Sequence, residues 1–591
     1  MSSALRAEVT RVFADKIGSD DKVLEECISI CQIYNLSAES LLYKWEALNF
    51  RPSATRSEIS AFTMESIVAL KAQIQRDMAK ENAKKPQHRT IATANAAMVN
   101  RARIPAAMLR NANPVQRPAN MQVKVEEGFG VPGPSTGSSV VFKGPARDEF
   151  SRKDRSYRYM YERIIERGDA LDERIDEIAR LVQEHYNIPD LGDPSSSTDE
   201  EITVVGRIVH DSDTSATPSK LTETTVALES SRMLGRASRV PLRFDSNLAI
   251  RGGAQVVGSA SLFPGAIVAL KGKNGGGAWF QVTEILSLPP LNPNPVSLGL
   301  PDPKFDPGVG DTSFSMCIAS GPYTPDADLS YKPWRALAKA MKTDKPTVVL
   351  LTGPFIDVQH PKIKSGETDM VPADLFRSQF IEPLREFLDS SPGSIAIIVP
   401  SVRDIVSRQA VFPQGELGSE LAGSDPRIHL LPNPARFSIN DITFAASSVD
   451  VIYHLRKEEL LKRGKELDST VPPPSAHDAG TDPMANTCRQ LLLQRSFYPL
   501  FPVPLDVSHE VNLSVVHSDG LRLVDKGDNY APVIMVLPSR LKHFSKAVHS
   551  TTALNPSFLV KGTYAKVDVA ARGTAAGFKE RITTEIVKLE A

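Results

Sequence analysis

The sequence predicts a multidomain α+β protein in which a small helical bundle, a small β-barrel and a larger α/β domain follow one another along the chain. Three observations support this prediction. Residues 1–80 carry apolar positions at helical spacing, and residues 201–289 carry short runs of β-forming residues between glycine-rich turns. Beyond Phe314, continuous apolar runs alternate with helical patterns. The length of 591 residues allows about two to four domains.

Residues 1–80 are predicted to form the N-terminal helical bundle. Four short amphipathic stripes each follow polar residues that suit a helix N-cap, and brief connections separate them. Cys27 and Cys31 lie one helical turn apart, as metal ligands can. No His or further Cys lies near them in the sequence, so burial as small apolar side chains is the favoured interpretation.

Residues 81–150 are predicted to be a flexible basic linker. Ala, Asn, Pro, Gly and Ser dominate this stretch, and its Lys and Arg residues face almost no acid. Lys84, Lys85 and Arg89 are candidate residues of a nuclear-localisation signal. A plain solvated tether explains the same composition equally well.

Residues 151–300 are predicted to hold a long helix and a β-barrel. Apolar residues keep a helical repeat over residues 154–186, and strands are expected at 202–209, 266–270 and 279–286. Several short strands over about ninety residues suit the OB-fold. Such barrels bind single strands by stacking bases on aromatic rings. Trp279 has few aromatic neighbours and the basic patch beside it is thin, so protein docking is favoured over strand binding.

A polar loop at residues 210–222 interrupts the barrel pattern. It contains Thr217-Pro218-Ser219-Lys220, which has the form of a proline-directed kinase site. Thr217 is therefore the candidate phosphosite, although motifs of this size often arise by chance.

Residues 301–591 are predicted to form the α/β domain, and a proline-rich stretch at 289–307 marks the boundary before it. Continuous apolar runs at 314–319, 347–351, 395–399, 442–446 and 533–537 are typical of strands buried on both faces. Helical patterns lie between several of them. In α/β folds the chemistry gathers in the loops beyond the carboxyl ends of the strands.

Composition excludes several classes of function. The 69 Lys and Arg residues nearly balance 70 Asp and Glu residues, which argues against a protein whose whole surface follows nucleic acid. Four cysteines are too few and too scattered for a disulfide scaffold or a four-ligand zinc site. The apolar runs are far shorter than a membrane span, and the first residues lack the apolar stretch of a signal peptide. We expect a soluble intracellular protein without a membrane segment.

The loops after the predicted strands resemble, in their spacing, those of the calcineurin-like metallophosphoesterases, whose loops hold two metal ions. The ligands are missing. Ser320 and Pro322 stand where the family has its first Asp and His, Pro354 where it has the bridging Asp, and Val402 and Arg403 where it has Asn and His. Proline and valine cannot coordinate a cation, and Arg403 adds a fixed positive charge.

Three further positions belong to this degenerate site. Asp357 and Asp404 survive, but as expected loop-capping carboxylates, and Arg540 lies in the late loop that has lost its His-x-His motif. The sequence also lacks a phosphate-binding loop, a nucleophile elbow and a dinucleotide fingerprint. We therefore predict a non-enzymatic protein with no catalytic residues, no metal and no cofactor.

Four motifs carry a closer resemblance. They are Cys317-Ile318-Ala319-Ser320-Gly321-Pro322-Tyr323, Leu351-Thr352-Gly353-Pro354-Phe355-Ile356-Asp357, His360-Pro361-Lys362-Ile363-Lys364-Ser365-Gly366 and Val399-Pro400-Ser401-Val402-Arg403-Asp404. With them the chain resembles the B subunits of replicative DNA polymerases, and most closely the B-subunit family of DNA polymerase α–primase. The resemblance is strong from about Arg155 onward, and in this family an inactivated phosphoesterase pocket is the rule.

This resemblance implies a nuclear scaffold subunit that acts in the initiation of DNA replication. Its partners would be the zinc-containing C-terminal domain of the polymerase α catalytic subunit, primase indirectly, and other replication factors through the N-terminal bundle. DNA contact would be weak or indirect. Two alternatives stay open: a residual metallophosphoesterase, and a protein that binds single-stranded DNA through the OB-fold.

Overall fold

The structure is a computed structural model that describes residues 2–13, 21–33, 38–49, 67, 70–71, 140–145, 157, 159, 161–211, 220–255, 257–298, 300, 312–469, 482–572 and 581–589. The chain divides into two compact units, Met1–Val123 and Lys124–Ala591. Lys84, Lys85, Arg89 and Thr217 lie outside the described residues.

Three helices of the first unit are described over their full length: α1 (Ser2–Phe13), α2 (Asp21–Ile33) and α3 (Ala38–Asn49). Of the fourth predicted helix, residues 67, 70 and 71 are described, and each is helical. Phe13, Cys27 and Trp45 share one apolar core. Cys27 and Cys31 are both buried, and burial raises the pKa of the Cys27 thiol to about 12, so it packs as a neutral apolar side chain.

The second unit begins with a short strand and a long helix. Strand β1 (Phe142–Lys143) pairs antiparallel with a strand of the α/β part, so residues 140–145 are ordered, contrary to the prediction of a flexible linker across 81–150. Helix α4 (Ile164–Tyr186) starts later than the predicted beginning near residue 154. The Glu166 carboxylate accepts from the Arg163 backbone nitrogen at 3.1 Å and so caps the helix there.

The next elements form the barrel. They are β2 (Thr198–His210), β3 (Val226–Glu229), α5 (Arg232–Gly235), β4 (Arg239–Arg251), β5 (Ser259–Leu262), β6 (Ile267–Asn274) and β7 (Phe280–Leu286). The hydrogen-bonded order β4-β3-β2-β6-β7 is closed by parallel pairing of β4 with β7. Ile175, Ile178 and Val182 of α4 pack against the outside of the barrel at Val205 and Ala269.

The α/β part contains the remaining regular elements. In chain order they are β8 (Phe314–Ser320), α6 (Lys332–Asp344), β9 (Val348–Thr352), α7 (Pro361–Lys364), α8 (Pro372–Phe376), α9 (Glu382–Ser390), β10 (Ile395–Val399), α10 (Ser419–Ala422), β11 (Ile428–Leu430), β12 (Ala435–Ile439), β13 (Ile442–Ala446), α11 (Val451–Glu458), β14 (Leu460–Arg463), β15 (Lys465–Leu467), α12 (Pro483–Leu493), α13 (Ser508–Val511), β16 (Ile534–Val536), β17 (Phe544–Val548), β18 (Thr551–Asn555), β19 (Thr563–Val569) and β20 (Ile582–Lys588). A single π-helical turn, Arg377–Ile381, joins α8 to α9.

Two six-stranded sheets stack face to face in this part. Their orders are β11-β10-β9-β8-β19-β20 and β1-β12-β13-β16-β18-β17. Alternation of side chains divides each strand between two cores. Val348 and Leu350 of β9 face the second sheet, whereas Val349 and Leu351 face helices α6 and α9. The predicted two-sided burial of these apolar runs is therefore confirmed.

The barrel and the α/β part are joined more closely than the predicted boundary at residue 300 implies. Strand β14 pairs antiparallel with β5, and β15 adds to the edge of β4. Residues 465–467 thus extend the barrel sheet, and residues 460–463 form a separate two-stranded sheet with β5, although both segments belong to the later part of the sequence. The Gln494 side chain also donates to the Ile267 carbonyl at 2.8 Å and accepts from the Ile267 nitrogen at 3.0 Å.

Candidate functional site

The degenerate site lies where the parallel strands β8, β9 and β10 end side by side. Backbone hydrogen bonds from Gly321 to Thr352 and from Gly353 to Val399, each 2.8 Å, hold the three following loops together. A Cβ on Gly353 would lie 2.7 Å from the Ser401 nitrogen and would overlap the Asp404 carboxylate. Glycine is required at this position because the two loops approach so closely.

Asp404 is the centre of this loop cluster. Its carboxylate accepts hydrogen bonds from the backbone nitrogens of Phe355, Ile356 (3.0 Å) and Ser401 (2.8 Å). The residue is 4% exposed. Burial raises the pKa of Asp404 to about 7, against the opposing effect of these three hydrogen bonds. Asp404 therefore binds the loops to each other and presents no carboxylate oxygen to solvent.

Asp357 and Arg403 form a partly buried ion pair beside Asp404. The guanidinium donates through Nε to Asp357 Oδ1 at 3.0 Å, and its Nη2 contacts Oδ2. The two loops also exchange backbone hydrogen bonds, from Val358 to Arg403 at 2.9 Å and from Ile405 to Ile356 at 3.0 Å. The fixed positive charge of Arg403 is thus neutralised by the carboxylate opposite it.

The remaining predicted positions are occupied by groups that do not fit a metal. The Ser320 hydroxyl accepts from Thr352 Oγ1 at 2.8 Å, Pro322 and Pro354 offer no donor side chain, and Val402 is buried in the apolar core shared with the barrel. Among the residues that the structure describes, no group of three or more His, Cys, Asp or Glu side chains could hold a metal ion. The loops do not fit a two-metal centre.

Sequence reasoning missed a buried polar network beneath these loops. Gln414 Nε2 donates to the Ser401 carbonyl at 3.0 Å and to the Ser407 hydroxyl at 2.7 Å. Asn433 donates to the Ser448 hydroxyl at 2.8 Å. Gln414 and Asn433 are both 0% exposed. Isolated Gln and Asn residues carry no periodic signal, so only their burial identifies them.

Arg540 lies apart from this network, in a second polar cluster on the same part of the chain. Its Nε donates to Asp450 at 3.1 Å, its Nη2 contacts Glu510, and its guanidinium lies 4.4 Å from the centre of the Tyr453 ring. His454 contacts Glu510 at 3.3 Å. Although burial would raise the pKa of Glu510, the hydrogen bonds from His454 and Arg540 lower it to about 2.

These contacts leave the degenerate site with no free reactive group among its described residues. Each carboxylate at its centre accepts from backbone nitrogens or pairs with Arg403, and Ser320 has no adjacent base. General acid–base catalysis needs a group within reach of a substrate proton. The arrangement instead provides three loops locked to one another, which is a geometry suited to presenting a fixed surface.

The family models and the individual relatives that match this chain agree on one class, the B subunits of DNA polymerases. The family model for the B subunit of DNA polymerase alpha/epsilon matches residues 316–546, and the model for the OB domain of the DNA polymerase alpha B subunit matches residues 168–288. The second match confirms the predicted OB domain.

Individual relatives narrow the class to the B subunits of one polymerase, DNA polymerase alpha. The DNA polymerase alpha B subunit of Schizosaccharomyces pombe is 30% identical over 586 residues, which cover 93% of this chain and 94% of that protein. The corresponding protein of Saccharomyces cerevisiae is 29% identical over 71% of this chain and 61% of its own length. That of Rattus norvegicus is 26% identical over 69% of this chain and 60% of its own length. The chain belongs to the family of DNA polymerase alpha B subunits.

A solved structure, that of TT1561 of Thermus thermophilus, aligns with 47% of this chain and all of its own at 10% identity. Its TM-score of 0.23 is too low to bear on the fold. None of the described helices is both long enough and apolar enough to cross a membrane.

Proposed function

We propose that the chain, as an accessory B subunit in DNA replication, is a non-catalytic scaffold of the DNA polymerase α–primase complex. Its barrel and its phosphoesterase-like α/β part together bind the zinc-containing C-terminal domain of the catalytic subunit, and primase is held indirectly through that domain. The observation that supports this proposal most is the interlocking of the two parts through β14, β15 and Gln494. Because the two parts are held together, a partner that contacts both of them does not have to restrict their relative motion when it binds, which would cost binding free energy.

The state of the degenerate site supports the non-catalytic part of the proposal. Asp404, Asp357 and Arg403 direct their hydrogen bonds to the loops themselves. A residual phosphoesterase would need several ligands converging on one point, and the loops offer proline and valine at those positions. The proposed role of the loops is structural.

The N-terminal part of the chain has a proposed recruiting role. The helical bundle of residues 1–80 binds other replication factors, and the tether that follows keeps them at high local concentration around the polymerase. Lys84, Lys85 and Arg89 serve nuclear import, and phosphorylation of Thr217 regulates the protein in the cell cycle. The recruiting role rests on the family resemblance, the import role on the basic composition of residues 81–150, and the choice of Thr217 on the motif Thr217-Pro218-Ser219-Lys220.

A co-elution experiment tests the main proposal. The full chain is mixed with the C-terminal domain of a polymerase α catalytic subunit and passed over a size-exclusion column. We expect a stable one-to-one complex. Separate elution of the two proteins at micromolar concentration would contradict the proposal.

Binding of single-stranded DNA through the barrel is the second candidate, and one observation favours it. The Arg243 guanidinium lies 3.7 Å from the centre of the Trp279 ring, and this ring is 41% exposed. An exposed ring next to a cation is the arrangement that stacks bases. If it does so here, Trp279→Ala lowers the affinity for an oligothymidine about tenfold, whereas unchanged affinity excludes this surface.

A further inference from the structure

A cleft lined by arginines lies between helix α4, the barrel and residues 494–522 of the α/β part. It encloses a cavity of about 70 Å³. Leu171, Phe501 and Leu521 contribute to its apolar walls. Four arginines also line it: Arg174, Arg207, Arg495 and Arg522. We call this feature the arginine cleft.

Three of these arginines have carboxylate partners. Arg174 and Arg522 share one of them, because Arg174 contacts Glu177 Oε2 at 2.8 Å and Arg522 contacts Glu177 Oε1 at 2.6 Å. Arg522 also reaches Asp519 at 2.8 Å, and Arg207 pairs with Glu229 at 2.9 Å. The four guanidinium groups thus share three carboxylates.

Arg495 is the arginine without a carboxylate partner among the described residues. Its Nη1 donates to the neutral Asn529 side chain at 2.8 Å. Its Nε is buried and has no hydrogen-bond partner in the part of the chain that the structure describes, and the same is true of Arg207 Nε. Arg495 and Arg207 are 8% and 6% exposed. Buried charges of this kind are normally paired.

The charges around Arg495 also favour the binding of an anion. Burial lowers the pKa of Arg495, Glu177 opposes this effect, and the nearby Arg174 lowers the pKa further. Burial and the neighbouring Arg522 also lower the pKa of Arg174, whereas Glu177 raises it. The cleft therefore holds positive charges that repel one another and that an added anion would stabilise.

We propose that the arginine cleft is a binding site for an acidic side chain of a polypeptide partner, with the carboxylate on Arg495 and an adjacent apolar side chain against Phe501 and Leu521. This inference rests on the proposed function, because the partner is the C-terminal domain of the catalytic subunit. The apolar walls favour a peptide over free phosphate, because a peptide brings apolar groups that can be buried against Leu171 and Leu521, whereas phosphate brings none. The cleft also lies where the barrel and the α/β part meet.

Binding of that C-terminal domain to the full chain tests the inference. We expect Arg495→Gln to lower the affinity at least about tenfold and to reduce its salt dependence, as loss of one buried charge pair does. Arg495→Lys keeps the charge and should retain most of the affinity. Without the partner, the unfolding midpoint of the Arg495→Gln variant should equal or exceed that of the wild type, because the repulsion between Arg495 and Arg174 is removed. Arg408→Gln is the matched control, since Arg408 pairs with Glu420 on the surface at 75% exposure.

Three results would overturn the inference. Wild-type affinity in Arg495→Gln together with a lowered unfolding midpoint would show that Arg495 has a structural role only. If inorganic phosphate at millimolar concentration raises the midpoint of the wild type but not of Arg495→Gln, while partner affinity is unchanged, the cleft binds free oxyanions. If the wild-type chain fails to bind the C-terminal domain at all, the proposed function itself is wrong, and the assigned occupant is wrong with it.

Discussion

Replacement of Asp404 by asparagine tests the account of the degenerate site. The wild-type carboxylate accepts two backbone hydrogen bonds through Oδ1 and one, from Ser401, through Oδ2. An asparagine can keep the first two with its amide oxygen, but its NH₂ group then faces the Ser401 N–H. One buried backbone donor loses its acceptor, which costs about 1–3 kcal/mol.

The pH dependence of this cost follows from the raised pKa of Asp404. The folded-state pKa of about 7 lies above the ordinary value of 3.8, so the folded state binds the proton more tightly and stability falls as pH rises between those values. A shift of this size corresponds to as much as about 4 kcal/mol. The amide of the Asp404→Asn variant cannot ionise. The stability of the variant relative to the wild type should therefore rise from pH 5 to pH 8, and the variant should equal or exceed the wild type at pH 8.

Urea unfolding of the full chain at pH 5 and pH 8 measures this difference. The exposed Asp326 provides the control substitution Asp326→Asn, for which we expect no effect at either pH. If Asp404→Asn has the stability of the wild type at both pH values, Asp404 does not bind the loops as described. If the variant is destabilised equally at both, the carboxylate is ionised throughout and its raised pKa is wrong.

Three further predictions concern the second unit. Gly353→Ala should lower stability by about 2–4 kcal/mol because its Cβ overlaps Asp404 and Ser401, whereas Gly276→Ala, with no atom within 4 Å, should be neutral in the same thermal unfolding assay. Gln494→Leu leaves the backbone nitrogen and carbonyl of Ile267 unpaired and should lower the free energy of unfolding by about 2–4 kcal/mol. An unchanged unfolding midpoint would show that the barrel does not depend on this contact. Glu510→Gln should destabilise the chain at pH 7 by about 2–4 kcal/mol, and this loss should shrink towards pH 3. The reason is that the lowered pKa of Glu510 gives a stabilisation that disappears as pH falls towards 2. A loss of stability that does not depend on pH would contradict the ion pair.

Five strands of the α/β part, β8, β9, β10, β13 and β16, could be predicted from sequence because each lies in a largely apolar run. The other strands of this part carry polar or charged residues and were not predicted. The runs at 314–319, 395–399 and 442–446 agree within one residue with β8, β10 and β13. Strands β3, β4 and β5 of the barrel were missed. Strand β3 ends in a glutamate, β5 is a short run of Ser, Ala and Leu, and β4 contains three arginines, an aspartate and a proline.

Helix α4 shows how tertiary contacts can shorten a helical pattern. The repeat extends back to about residue 154, yet Tyr159 donates to the Pro413 carbonyl and packs edge-on against His517 at 5.4 Å. Tyr157 packs against the same ring at 4.9 Å. These contacts lie more than two hundred residues away in the sequence, so a local pattern cannot report them. The helix begins at Ile164, where Glu166 caps it.

Contacts with distant residues also explain why residues 140–145 are ordered. Val140, Val141 and Phe142 form a short apolar run within the linker composition; Phe142 stacks on His429 at 4.2 Å, and the backbone adds to the edge of β12. An exposed sheet edge binds any extended segment that offers matching N–H and C=O groups. The strand exists because that edge is free, and the edge is formed by distant residues.

Periodicity and residue type are local properties, so the sequence was enough to assign the OB domain and the most apolar strands of the α/β part. How the loops that follow these strands are held together became visible only in the folded chain. The Asp404 carboxylate accepts hydrogen bonds from three backbone nitrogens, Gln414 and Asn433 form a buried polar network beneath the loops, and residues 465–467 extend the barrel sheet. Each of these depends on contacts between residues far apart in the chain, which no local pattern encodes.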